Sequence, residues 1–396
     1  MSMQSALPAS LVAFLALSSV DAGAVTYTVT EIPRYQDRYT YAWDVNDSGK
    51  VAGYVANQGN QNIYYNLPFT WTQAGGISSR PALGATIAGV GGAGTGGKAE
   101  AINNSGVMAG YSFTGVGNAF HATKWDANGN AIDLGTMGGN WSEAFDINNG
   151  GRVVGYSYNA GNTQMRPVVW SANGTPTDLG SLAGGPGGKA LAINDQGDAV
   201  GYAFLPYDKW GSVYDRAVIW RNGTVTELGT LGGDESFAYD INNLGQVVGS
   251  SQAASRVGAF IWQNGVMTEI IGVGPSNFGS NAYGINDHGQ VVGESGMGGV
   301  GDTSHAFIWE NGVTVDLNNV SITAVANGQW VLRHAYEINT QGQIVGLGTL
   351  NGVQTAFLLT PDVAPVPEPE TYALMLAGLG LVTLRLRRPR SNFIHS

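Results

Sequence analysis

Asp44-Val45-Asn46-Asp47-Ser48-Gly49 sets oxygen-bearing side chains at alternate positions ahead of a glycine, which is how a calcium-binding loop begins. The spacing returns at Asp146-Asn148-Gly151 and Asp240-Asn242-Gly245. Elsewhere Ala101, Ala192 and Gly284 stand where the first carboxylate would be, and no acidic residue closes any of these loops. Hairpin turns rich in Asn and Gly explain the pattern without an ion, so no metal and no cofactor are expected. For acid–base chemistry the side chains are sparse. His121 and His305 hold equivalent positions in a repeat and are expected to make a repeated structural hydrogen bond; His288 sits in a tight turn, and His334 lies beside Trp330 and Arg333 near a long connection. Glycosidase chemistry needs two carboxylates roughly 5–9 Å apart, and Asp208, Asp215, Asp234, Glu235 and Asp302 are the acidic candidates. Asp208 and Asp215 share a stretch with Tyr207, Trp210 and Tyr214. Aromatic rings with polar tips suit carbohydrate, although the same rings could pack the loop onto its own sheet. No catalytic residue is assigned; Trp141, Tyr207, Trp210, Tyr214 and Trp330 are the candidate ligand-binding residues.

These residues hang on a repeat. The register Ala-x-x-Ile-Asn-x-x-Gly-x-Val-x-Gly recurs with its asparagine at Asn46, Asn103, Asn148, Asn194, Asn242, Asn286 and Asn339, at separations of 57, 45, 46, 48, 44 and 53 residues. A period of this length points to a propeller or a solenoid. Each copy holds four strand-like pieces. In the third copy they are Ala144-Phe145-Asp146-Ile147, Arg152-Val153-Val154-Gly155-Tyr156, Arg166-Pro167-Val168-Val169-Trp170 and Thr177-Asp178-Leu179-Gly180. The Asn-Gly pairs at 173–174, 222–223, 264–265 and 311–312 predict tight hairpins with both residues at positive φ. Trp71, Trp125, Trp170, Trp220, Trp262 and Trp309 end the third piece of six copies, with Leu359 in the last, and are predicted to pack between blades.

The last copy lacks its fourth piece, while Thr28-Val29-Thr30-Glu31-Ile32 near the start matches Thr224-Val225-Thr226-Glu227-Leu228. A solenoid needs polar caps at both ends. A ring gains from such a clasp, because it removes exposed edges. The expectation is therefore an all-β, seven-bladed propeller of four-stranded blades over residues 25–361, closed by an N-terminal strand that completes the last blade. Up-and-down strands put the tight first-to-second and third-to-fourth turns on one face. The variable connections, such as Tyr54 to Pro68, Leu83 to Lys98 and Tyr202 to Arg216, fall on the other, where binding usually resides.

Composition agrees. Charged residues are 12% against a usual ~25%, and the 60 glycines suit many short strands and turns. There is no cysteine, which excludes disulfides and thiolate metal sites. A net charge of −11 argues against nucleic acid as a partner. Residues 25–369 carry 14 basic and 27 acidic residues, so the binding face is not expected to seek polyanions without divalent cations.

Residues 1–24 read as a signal peptide, with the apolar core Leu11–Leu17 and a small-residue cleavage site at Ala22-Gly23-Ala24. At the other end come a proline-rich linker (362–371), an apolar run from Tyr372 to Leu384 and a basic tail (385–396). Thirteen helical residues rise about 20 Å against a ~30 Å hydrocarbon core, a marginal span that snorkelling arginines could extend. Pro367-Glu368-Pro369, the apolar segment and Arg385, Arg387, Arg388 and Arg390 together resemble the PEP-CTERM sorting signal of Gram-negative bacteria. The resemblance implies an exosortase, a membrane-embedded cysteine protease, as partner. It also implies passage through an inner-membrane-anchored intermediate to the cell surface or extracellular matrix. The repeats resemble the HAF-repeat extracellular proteins, with His305-Ala306-Phe307 in full and His121-Ala122 in part; Leu67, Arg166, Arg216, Gly258 and Thr355 replace the histidine elsewhere. That resemblance implies location and architecture. The expected role is a non-catalytic surface or matrix protein binding glycan or a protein partner through one face, with a secreted polysaccharide-cleaving enzyme as the alternative.

Overall fold

Each fixed letter of the repeat answers a physical demand. The computed structural model describes residues 26–362 apart from 57–65, 85–95, 117, 207–213, 276–277, 300–302 and 325–327; among these residues every regular element is a strand. The first strand of each copy lies nearest a common axis: Tyr39–Val45, Gly97–Ile102, Gly138–Ile147, Gly188–Ile193, Ser236–Ile241, Ser280–Ile285 and Trp330–Ile338. The later strands of each copy step outward antiparallel. The last glycine of the signature lets the second strand close on the first. A Cβ at Gly155 would stand 1.9 Å from the Glu143 carbonyl oxygen, and Gly53, Gly110, Gly201, Gly249, Gly293 and Gly346 are equally crowded, at 1.9–2.0 Å. The earlier glycine of the signature turns the chain at positive φ, 73° at Gly245.

The Ala-x-x-Ile spacing records a β-bulge. In every first strand the register slips just after the alanine, between Ala42 and Asp44, Ala144 and Asp146, Ala238 and Asp240, and likewise in the other four copies. Alternation would send residues three apart to opposite faces; the bulge instead buries both ends. Ala42 and Val45 are 0% and 3% exposed, while Trp43 and Asp44 between them both turn to the axis.

The third-strand tryptophans pack between neighbouring copies, as expected. Trp170 is fully buried against Ala101 and Ala109 of the preceding copy, and Trp220 against Val154 and Val169. Burying such a side chain stabilises by about 2–3 kcal/mol. Thr26–Ile32 pairs antiparallel with Val353–Asp362, Glu31 opposite Phe357 and Ile32 opposite Ala356, which is the predicted clasp. The hairpins at Asn222, Asn264 and Asn311 have φ of 50–52° with the following glycine at 75–86°; at 173–174 only Gly174 is positive.

The expectation of seven separate four-stranded blades is corrected. Hydrogen bonding gives four sheets of four strands and one in which Ile322–Ala324 is added parallel to Thr26–Ile32. Five copies thus stand alone, while the second and third are joined in one eight-stranded sheet. The join is the single parallel pair Trp141↔Phe120. It forms because the third copy's first strand starts early, at Gly138. The Asn140 N–H donates to Asn162 Oδ1 (2.7 Å) within the third copy and fixes the lead, while Trp141 Nε1 donates across to the Asn118 carbonyl (3.2 Å) of the second.

Candidate functional site

The axis is built in layers, one residue per copy in each. Nearest the tight turns is a closed belt of asparagines. Asn46 Nδ2 donates to the Asn103 carbonyl (3.0 Å), Asn103 to Asn148, Asn148 to Asn194, Asn194 to Asn242, Asn242 to Asn286, Asn286 to Asn339, and Asn339 back to Asn46 (2.9 Å). Each Oδ1 meanwhile accepts amide N–H groups from its own turn, such as Leu244 and Gln246 on Asn242. One side chain thus folds its turn and fastens it to the next. All seven are 4–6% exposed.

Above the belt come the carboxylates that had suggested calcium. Asp44 accepts the Val45 and Ile102 N–H groups (both 2.6 Å), Asp146 those of Ile147 and Ile193 (2.6 and 2.7 Å), and Asp240 those of Ile241 and Ile285 (2.7 and 2.8 Å). Each therefore clasps the following copy, and the copy clasped is the one carrying Ala101, Ala192 or Gly284 in its place. An odd number of copies breaks the alternation, and the seventh supplies Glu337. Its carboxylate accepts the Ile338 N–H (2.9 Å) and lies where a Cβ on Gly284 would come within 2.9 Å. The amide donors thus take the oxygens an ion would need. Among the described residues no three His, Asp or Glu side chains converge as metal ligands. Burial pushes Asp146 up to about 6; burial and mutual repulsion raise Asp44, Asp240 and Glu337 as well. Together with Trp43, Glu100, Phe145, Tyr239 and the asparagine belt they line an axial cavity of about 290 Å³ on the tight-turn side.

Toward the face of variable connections, the axial positions stop repeating. The residue before each fixed alanine is Tyr41, Lys98, Glu143, Lys189, Phe237, Asn281 or His334; the residue after each close-packed glycine is Tyr54, Tyr111, Tyr156, Tyr202, Ser250, Glu294 or Leu347. Lys98 Nζ lies 4.7 Å from the Tyr54 ring centre and 6.0 Å from that of Tyr111, and Lys189 Nζ 4.6 Å from Tyr156 and 5.6 Å from Phe145. Tyr41 stacks on Tyr54 at 4.9 Å, and Trp43, Tyr336, Tyr283, Tyr239, Phe237 and Tyr202 continue the aromatic wall. Opposite the lysines, Glu294 accepts from Tyr283 (2.7 Å), Asn281 (2.9 Å) and His334 Nδ1. Burial would raise Glu294, but these donors outweigh it and hold the carboxylate below its usual range. Burial drives Glu100 up to about 8 and raises Glu143, with the lysines partly opposing both. These mouth residues went unnoticed in the sequence, although they are the unfixed letters inside an otherwise fixed phrase.

The residues singled out from sequence are scattered. Trp141 stands edge-on to Tyr158 at 5.6 Å at the join between copies. Trp330 packs edge-on against Phe357 at 6.3 Å, beside the core. Tyr214 is half-buried, its carbonyl accepting the Leu205 N–H (2.9 Å). Tyr207, Trp210, Asp208 and Asp302 lie outside the described residues, as do the signal peptide and the whole sorting segment from Pro367 to Arg390. No described helix is long and apolar enough to cross a membrane, and the apolar run 372–384 lies beyond them. Asp215 is pushed up to about 6, first by burial and then by the charge of Glu235. His121 and His305 pair through Nδ1 with Asp133 (2.9 Å) and Asp316 (2.8 Å), the repeated bond expected of them. Arg166 makes the same strand-to-strand bond to Asp178 and Arg216 to Glu227; in the copy with Gly258, Arg256 reaches Glu269 instead.

Residues 365–390 match the PEP-CTERM protein-sorting motif, which marks exported proteins and implies recognition by an exosortase. No curated protein is similar to the chain in sequence. Among solved structures, the β-propeller domain of the Trilobed protease from Pyrococcus furiosus, described as having an open velcro topology, is similar with a TM-score of 0.53 at 10% identity, over 84% of this chain and 95% of that one. A puromycin hydrolase gives 0.49 at 14% identity over 78% of this chain and 50% of its own, and a Trypanosoma rangeli sialidase 0.39 at 12% over 94% and 62%. At these identities the likeness is of fold alone.

Proposed function

We propose that the chain is an exported, non-catalytic protein of the cell surface or extracellular matrix, a propeller that binds glycan at the axial mouth on its variable face. The observation that carries this is the contrast between the two ends of the axis. At the tight-turn end every copy repeats the same asparagine bond to its neighbour, which is architecture. At the other end tyrosines, lysines and carboxylates replace one another from copy to copy around an aromatic wall, which is what a ligand of low symmetry requires. The sorting motif and the resemblance of the repeats to HAF-repeat proteins support the destination. A glycan array probed with the exported protein tests the reading: selective binding that Tyr111→Ala abolishes is expected, and no binding to any glycan would overturn it. The raised Asp215 carboxyl favours one second reading, glycan cleavage by a general acid. It would show as turnover of a bound polysaccharide, lost on Asp215→Asn.

A further inference from the structure

The mouth is not chemically even around its rim. Four successive copies bring Tyr54, Tyr111, Tyr156 and Tyr202 together with Lys98, Glu143 and Lys189, while the remaining three bring Phe237, Asn281 and His334. Each lysine ammonium is held by two ring faces, Lys98 by Tyr54 of the preceding copy and Tyr111 of its own, Lys189 by Phe145 and Tyr156 of the preceding copy. Such contacts fix the direction of a cation and strip part of its water without cancelling its charge. Among the described residues neither ammonium has a carboxylate within the 4.0 Å of an ion pair. Glu143 sits within electrostatic reach of both, yet its carboxyl bonds to the Tyr156 hydroxyl. Burial raises Glu100 and Glu143 alike, against the opposing pull of the lysines. The phenols of Tyr54 and Tyr111 are raised by burial and by these carboxyls and remain O–H donors, while the Tyr156 hydroxyl is spent on Glu143.

We infer that this arc of the mouth recognises the carboxylate groups of an acidic glycan, Lys98 and Lys189 each receiving one uronate carboxylate while tyrosine hydroxyls donate to the sugar oxygens. The inference rests on the glycan-binding reading and names the class of glycan. It runs against the chain's overall negative charge and rests on the two ring-held lysines of this arc.

The test uses the exported protein with oligogalacturonate and oligomannuronate, each beside its fully methyl-esterified form, followed by titration calorimetry at two salt concentrations. The free acids are expected to bind at least ~10-fold more tightly than the esters, and less tightly as salt rises. Lys98→Met and Lys189→Met keep the aliphatic stem and should each lose about 10-fold for the acids and nothing for a neutral oligosaccharide. Lys50→Met, on the tight-turn face, should change neither. Equal binding of acid and ester would overturn the inference and leave glycan binding standing. Failure of both, alongside neutral glycans bound on the array, would do the same; failure of every glycan would remove both readings. Displacement by millimolar inorganic phosphate would mark a general anion site and overturn the assignment to uronate.

Discussion

At the scale of single residues, the asparagine of the signature outranks any buried apolar side chain, because it serves two turns at once. Asn242→Ala would remove the bond to the Asn286 carbonyl and strand the Leu244 and Gln246 amides, in a place where 4% exposure leaves little water to replace them. A loss of about 2–4 kcal/mol is expected, read as a lower urea midpoint at unchanged slope. The axial carboxyls make a prediction of opposite character. Glu100 and Asp146 are pushed up to about 8 and about 6, above the unfolded value near 4. The native state therefore holds protons that the unfolded chain has released, and stability is complete below pH ~4 and falls as pH rises through 6 and then 8. The melting temperature should drop by on the order of 5 °C between pH 5 and pH 8.5. Glu100→Gln should flatten the upper part of that fall; a melting curve that rises with pH would contradict the account.

At the scale of elements, the clasp is the most exposed dependency of the ring. Tyr27, Val29 and Ile32 are 4%, 1% and 0% exposed; the first two pack into the core between the sixth and seventh copies, and Ile32 into the core that joins the seventh to the first. At ~1.5–3 kcal/mol for each side chain, removing the strand costs about as much as a domain's whole stability. A chain lacking residues 26–32 should therefore aggregate on size exclusion, and added peptide of that sequence should return a monomer, whereas Val29→Ala should cost about 2 kcal/mol and still fold. If the truncated chain stayed monomeric with cooperative unfolding, the ring would not depend on its clasp. The clasp was legible because it is a matter of bookkeeping along the sequence: a fourth strand missing at one end and present at the other. The tight turns were legible because Asn-Gly has few conformations. The join between the second and third copies was not, since it rests on one pair, Trp141↔Phe120, that no local pattern distinguishes from an ordinary loop. The mouth was hidden for a different reason. Trp43 and Asp44 both face the axis only because of the bulge, and its trace, an Ala-x-x-Ile spacing of three in a fold of period two, reads as noise until the register is known.

At the scale of the whole molecule, the two ends of the ring bear on how the proposed membrane-anchored intermediate would be oriented. Thr26 lies opposite Asp362, and Pro361 packs beside the Gly342 turn, where a Cβ would be 3.5 Å from its Cγ. Both ends of the propeller therefore leave from the tight-turn face. Residues 363–371 separate Asp362 from the apolar run that begins at Tyr372, and nine residues reach at most about 30 Å. In that intermediate, so short a tether from that face would favour turning the belt of asparagines toward the bilayer and the mouth outward. The orientation would let the mouth engage matrix before the sorting protease releases the chain. The chain has no cysteine, so single labels report it cleanly. Leu244, 64% exposed in a tight turn, and Val116, 76% exposed in a variable connection, are the positions to use. With a fluorophore on Leu244→Cys or Val116→Cys and a quencher in the lipid headgroups, quenching should be strong for the first and weak for the second while the C-terminal segment is attached. Both should be lost once it is cut. Equal quenching at the two positions would mean that the ring lies on its side, and the mouth would then not be presented outward.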